Sequence, residues 1–221
     1  MEGYHFTLAG ANLIALGSGA LYWPEKELLC VSDLHLGKSG RLLRHGGPLL
    51  PPYEVLDTLY RLETEIVLSE AKTIVCLGDS FDDVGAETSL LDREVAWLNR
   101  LQEGRCWVWI EGNHDAEPVN IGGTHLKDFI VPPLTFRHIP SASQSREVAG
   151  HYHPKAQIIL SGRYYSKPCF LLDEDRLVLP AFGTFTGGLK THNLALLELM
   201  RSDALAIMTG KHSCAIPMPR K

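Results

Sequence analysis

Six side chains of metal-ligating type stand at the ends of four short apolar runs in this sequence of 221 residues. Leu28 to Val31 closes on Asp33 and His35, one residue apart. Thr73 to Leu77 leads into Gly78, Asp79, Ser80, Phe81, Asp82 and Asp83. Cys106 to Ile110 leads into Glu111, Gly112, Asn113, His114 and Asp115, and Glu147 to Ala149 into Gly150, His151, Tyr152 and His153. Carboxylate, amide and imidazole donors without thiolate suit Mn²⁺, Fe or Zn²⁺ rather than a soft ion. The glycine at three of these ends lets the backbone turn tightly, so that the next side chains can point at one place.

The elements that must position these groups read as alternating strands and helices in the first half. Residues 4–23 form two or three short strands, and 37–52 form a loop with one helical turn. Apolar residues recur at three- and four-residue spacing from Tyr53 to Ala71 and from Leu90 to Leu101, which predicts two amphipathic helices. The Cys106 strand is apolar on both faces, Trp107 and Trp109 on one and Val108 and Ile110 on the other, so both faces should be covered. Pro118, Gly122, Gly123, Pro132 and Pro133 make 113–133 an irregular connection. From Leu134 onward the pattern predicts strands at 134–137, 147–149, 157–160, 169–172, 176–179, 194–199 and 204–208, with a hairpin turn at Asp173 to Asp175.

A chain of this length forms one domain with a substantial core. The net charge of −5 argues against a bulk electrostatic grip on nucleic acid or an anionic membrane, although a local basic patch is compatible with it. Five cysteines, four of them inside apolar runs, show no CxxC spacing and imply a reducing, cytoplasmic setting without disulfides. No apolar run reaches the roughly 18 residues of a membrane span. The uncharged stretch Leu8 to Trp23 lacks a preceding Lys or Arg and is broken by Gly17, Ser18 and Gly19, unlike a secretion signal.

The succession Asp33/His35, Asp79/Asp82, Asn113/His114/Asp115 and His151/His153 resembles the motifs of the calcineurin-like metallophosphoesterase superfamily. The resemblance implies a four-layer αββα sandwich of two mixed sheets and two divalent metal ions, with Mn²⁺ favoured ahead of Fe or Zn²⁺. It implies Asp79 as bridge, with Asp33, His35 and His153 on the first ion and Asn113, His151 and one further His on the second. His138, closing the strand 134–137, fits that last place better than His125. His114 would stay off the metals and assist the leaving group, worth about 10²–10⁴-fold as a general acid. Asp115 would orient His114 or else be a loop carboxylate or helix cap, and Asp82 or its neighbour Asp83 would take a supporting place. His45, His192 and His212 read as surface or packing residues.

A narrower resemblance rests on Cys169 to Leu172, Leu179 to Gly188 and Gly150 to Pro154. These segments are similar to the bacterial ligase-associated DNA damage response endonucleases of that superfamily. It implies in-line attack by a metal-bridging hydroxide on DNA at ends, gaps or single-stranded regions, in the cytoplasm with a repair ligase as partner. Lys38, Arg41 and Arg44 would then grip phosphates beyond the scissile one, or else line a solvated loop. Trp107 and Trp109 belong in the core rather than on a base-stacking platform. Pro180 to Gly188 either folds over the site or crosses the structure as a turn. The competing readings are a small-molecule nucleotide phosphodiesterase or phosphatase, and a catalytically silent scaffold, which the full ligand set argues against.

Overall fold

The structure, a computed structural model, describes residues 2–44, 46–47, 51, 53–82, 90–114 and 121–220. Asp83, Asp115, His45 and the side chain of Arg44 lie outside the described residues. Two sheets stack face to face with helices outside both, the four-layer αββα arrangement of two mixed sheets expected from the motifs.

The first sheet runs β1 (Gly3–Leu8), β2 (Ala11–Leu16), β3 (Leu21–Trp23), β4 (Leu28–Val31), β5 (Thr73–Leu77), β6 (Cys106–Ile110) and β7 (Thr124–Leu126), in chain order. Pairing is antiparallel from β1 to β4 and parallel from β4 to β7. β4 connects to β5 through α2 (Glu54–Ser69) and β5 to β6 through α3 (Asp92–Gln102), the crossover parallel neighbours need. α1 (Lys38–Arg44) comes before them.

The second sheet holds β8 (Asp128–Val131), β9 (Leu134–Arg137), β10 (Glu147–Ala149), β12 (Arg163–Leu172), β13 (Arg176–Val178), β14 (Leu205–Met208) and β15 (Cys214–Pro217). β11 (Lys155–Leu160) pairs with β12 along its length and bridges Lys190 at its first residue, and α4 (Leu194–Leu199) lies outside.

β4 shows why the central strands read as unbroken apolar runs. Leu29 and Val31 join the core beneath α2 and α3, with Leu59, Leu62 and Leu98. Leu28 and Cys30 join the core between the sheets, with Phe136, Phe170 and Leu177. Period-two alternation thus loads both faces of one strand. β6 repeats the scheme: Trp107 and Trp109 are buried on the helix side and Val108 and Ile110 between the sheets.

Five expectations are corrected. Residues 38–44 are helical rather than a loop with one turn, held where Ser39 donates from its backbone and its hydroxyl to Glu54. The connection 113–133 contains β7 and β8, defined by pairing with β6 and β9. Residues 194–199 form a helix, capped where the Asn193 side chain accepts the Ala195 N–H, not a strand. The second-sheet strands also start earlier, at Lys155 and Arg163, and Cys106 is exposed rather than buried in its strand.

Candidate metal centre

β4 and β5 are parallel neighbours and end together, which sets Asp33 and His35 beside Asp79. The turns are stitched by backbone: Asp33 N–H donates to Gly78 O, His35 N–H to Asp79 O and Leu36 N–H to Ser80 O. Asp33, His35, Asp79, His151 and His153 all have positive φ, from 44° to 70°. Side chains rarely adopt that region, at a cost of order 1–3 kcal/mol each, and persist there only where the surroundings dictate it.

Close backbone approach supplies that constraint. A Cβ on Gly150 would stand 1.8 Å from Ser32 Oγ, one on Gly183 2.1 Å from Leu34 O, and one on Gly188 2.0 Å from His153 O. Gly150 therefore lets the β10 turn reach Asp33, whose Oδ2 accepts the His151 N–H at 3.1 Å and the Ser32 hydroxyl.

Two groups of ligand-type side chains result, Asp33 with His35 and His153, and Asp79 with His138 and His151. In the first, Asp33 Oδ1 and His153 Nε2 lie 2.9 Å apart, and neither has a hydrogen-bond partner among the described residues. In the second, His138 Nε2 stands 2.9 Å from Asn113 Oδ1, 3.2 Å from His151 Nδ1 and 3.4 Å from Asp79 Oδ2. His138 Nδ1 lies 2.8 Å from Leu77 O. A carbonyl only accepts, so in the neutral ring the proton sits on Nδ1, and Nε2 offers a lone pair to three other potential donors of electrons.

The remedy for such a convergence is a cation. Two donors each about 2.1 Å from one ion stand roughly 3.0–3.4 Å apart in octahedral or tetrahedral geometry. The separations around His138 fall in or next to this range, so the residues fit a divalent ion. Without one, charge is shared locally. Burial pushes Asp79 up, but His138 and the His114 N–H outweigh it and hold the carboxyl well below its usual range. Burial lowers His138, and the Asp79 and Asp33 carboxylates more than reverse that. His151 is lowered, by burial first and then by His138.

His114 lies beside these groups. Its N–H donates to Asp79 Oδ1 at 2.9 Å and its Nδ1 lies 3.0 Å from Asp82 O, which leaves Nε2 for another partner. Asp82 is buried, with Oδ1 2.9 Å from His35 Nδ1 and Oδ2 held by Arg41 Nε. Arg41 thus faces the interior of the site, whereas Lys38 is half-buried at the start of α1. His125 is elsewhere, its ring stacked on Trp109 at 6.4 Å in β7. His192 and His212 are exposed.

The stretch after β13 is fastened on two sides. Phe182 N–H donates to Ser32 O and Gly183 N–H to Asp33 O. Thr184 N–H donates to Thr58 Oγ1 at 3.1 Å and its hydroxyl to Asp57, while Arg61 holds Phe182 O and Thr184 Oγ1. The segment buttresses the Asp33 turn against α2. No local sequence pattern marks the Ser32 hydroxyl or the Leu77 carbonyl as supports of the site, because each meets its partner only through folding.

The sequence profile of calcineurin-like phosphoesterases matches residues 27–183. No curated protein sequence matches the chain. Among solved structures, the Pseudomonas putida nuclease MPE is 26% identical with a TM-score of 0.74, over 96% of this chain and 99% of that one. Yfce, a phosphoesterase from E. coli, is 15% identical with a TM-score of 0.42, over 87% of this chain and 99% of that one.

Proposed function

Because the chain belongs to the calcineurin-like phosphoesterase family and is a metal-dependent phosphoesterase, we propose that it is a single-domain, dimetal phosphodiesterase that cuts DNA in repair as an endonuclease. The observation that carries this reading is the formation of two donor groups, Asp33, His35 and His153, and Asp79, His138 and His151, beyond the ends of β4, β5, β9 and β10. Two divalent ions would be held by Asp33, His35, His153 and Asp79 and by Asp79, Asn113, His138 and His151, with the Asp79 carboxylate shared between them. Mn²⁺ is preferred to Fe and Zn²⁺. When bound, the ions supply charge neutralisation at the phosphoryl oxygens and hydroxide at neutral pH.

The chain's own part is positional and acid–base. His114 keeps its Nδ1 on Asp82 O, so its Nε2 is the atom that meets the ester and, when protonated, donates to the leaving oxygen. Asp82 fixes the His35 ring, as carboxylates do for metal-bound imidazoles. Lys38, at the start of the helix after the first ligand pair, meets a neighbouring phosphate. Support for a nucleic-acid substrate comes from the likeness to a nuclease across nearly the whole chain. Cytoplasmic residence beside a repair ligase rests on the narrower motif resemblance, in keeping with five free cysteines.

A second reading is favoured by a cavity of about 460 Å³ beside Asn113 and His138, lined also by Lys127 and Arg137. It is large enough for a small nucleotide diester. The deciding experiment reconstitutes metal-free protein with Mn²⁺ and follows a chromogenic phosphodiester and its monoester, with Asp79→Asn as control. Diester turnover lost in the control supports the phosphodiesterase. Opening of circular single-stranded DNA then supports the endonuclease; intact circles beside a cleaved nucleotide diester reject it.

A further inference from the structure

The ribbon formed by β11 and β12 leaves the body of the protein at the metal centre. β12 is paired in the second sheet through Cys169–Leu172; among the described residues its first half, from Arg163 to Lys167, is paired with β11. β11 begins at Lys155, two residues after His153. In the fourteen residues from Lys155 to Pro168 there are three cations, Lys155, Arg163 and Lys167, and no acid, within a chain of net charge −5.

The two faces of the ribbon differ. Ala156 is buried and Ile158 packs against the core under α4, so the face they share is rooted on the protein. Cross-strand partners share a face, and the opposite face is set by the pairs Lys155 with Pro168, Gln157 with Ser166, and Ile159 with Tyr164. Tyr164 is 78% exposed and Ile159 60%. Lys190 joins this face at its root through a parallel bridge with Lys155 and is exposed. From His153 outward the face therefore presents two ammonium groups, then amide and hydroxyl, then an aromatic ring on an aliphatic ledge.

That order matches a polyanion whose subunits carry flat apolar bases, and the ribbon starts where a phosphoester would be cut. We propose that this face is the track for the single-stranded segment flanking the scissile phosphate, with Lys155 and Lys190 on phosphates and Tyr164 stacked on a base. The inference rests on the nucleic-acid reading given above. Lys155 Nζ donates one hydrogen bond to Thr186 O at 3.2 Å and keeps two N–H groups for phosphate. The ligand is single-stranded because only an unstacked base offers its face to a side chain. Arg163 and Lys167, on the rooted face, add positive potential without touching the base.

The test is fluorescence anisotropy of a labelled single-stranded oligothymidylate with the full chain, its Tyr164→Ala variant and its Tyr164→Phe variant, at fixed salt. Tyr164 is exposed, so its truncation leaves folding intact. Loss of one stack weakens binding about tenfold, and Phe restores it because the ring is what stacks. Equal affinity of the Ala variant and the wild type overturns the proposal. So does a Tyr164→Ala variant that loses self-association in light scattering while keeping its oligonucleotide affinity, which would assign the face to a second copy of the chain. A wild type that hydrolyses the chromogenic diester but does not bind the oligonucleotide overturns this inference and leaves the phosphodiesterase reading in place.

Discussion

His35 turns its Nδ1 to Oδ1 of Asp82 at 2.9 Å, and Arg41 holds the other carboxylate oxygen. The chain Arg41, Asp82, His35 fixes which imidazole nitrogen faces the centre. Burial pushes Asp82 up, but His35 and Arg41 outweigh it and keep the carboxyl below its ordinary value, so it is ionised at neutral pH. Replacing Asp82 by Asn removes that charge while conserving shape. Mn²⁺ affinity measured by calorimetry should fall roughly 10–100-fold, the usual cost of losing such a support, with little change in far-UV dichroism. Unchanged affinity would mean that Asp82 serves folding alone.

Gly78 has a φ of +71°, and a Cβ there would lie 2.6 Å from the His138 ring. Gly78→Ala should push His138 from its place and reduce bound Mn²⁺ from two ions per chain to one by elemental analysis. Gly104→Ala separates strain from crowding, since Gly104 has a φ of +69° with open space around it. That variant should lose only about 1 kcal/mol and keep both ions. If both substitutions leave the metal content alike, crowding of His138 is not the cause.

Thiol accessibility divides the five cysteines. Burial pushes the Cys30 thiol well above its usual value and Cys169 up to about 12, and Cys76 is buried beside Cys30. Cys106 and Cys214 are exposed. A chromogenic thiol reagent at pH 8 should therefore modify two thiols per native chain within minutes and all five after denaturation, since the thiolate is the reacting form. Rapid reaction of a third would show that a core opens on that timescale.

Sequence reasoning reached the central strands because their ends carry rare residue types in fixed order, as at Asp33 and His35. It failed where long-range pairing decides. Thr124–Leu126 is a strand because β6 accepts it, and nothing local distinguishes it from the glycines around it. Leu194–Leu199 is short and apolar, so periodicity cannot separate strand from helix; the cap from Asn193 was the available signal. No sequence pattern announces that Arg41 meets Asp82, 41 residues away. His138 could be preferred to His125 only by its position at a strand end, and the structure sets it beside Asp79 and His151.

Glu147 lies buried at the start of β10, accepting the Ser141 N–H at 3.1 Å, with Arg176 Nη1 at 3.4 Å and Arg137 Nη1 at 3.7 Å. Burial raises its pKa; the Ser141 N–H and the two guanidinium groups pull it down without fully offsetting that. A carboxyl whose folded value exceeds its unfolded one contributes stability that is fully present below the unfolded value, near 4.5, and is lost as pH rises through the folded value. Glu147→Gln, which cannot titrate, isolates this contribution. The Tm of the wild type minus that of Glu147→Gln should therefore be more favourable to the wild type at pH 5 than at pH 8, each 1 kcal/mol reading as roughly 2–4 °C in a chain of this size. A difference that grows in favour of the wild type toward pH 8 would mean that the pairing with Arg176 and Arg137, not burial, governs this carboxylate.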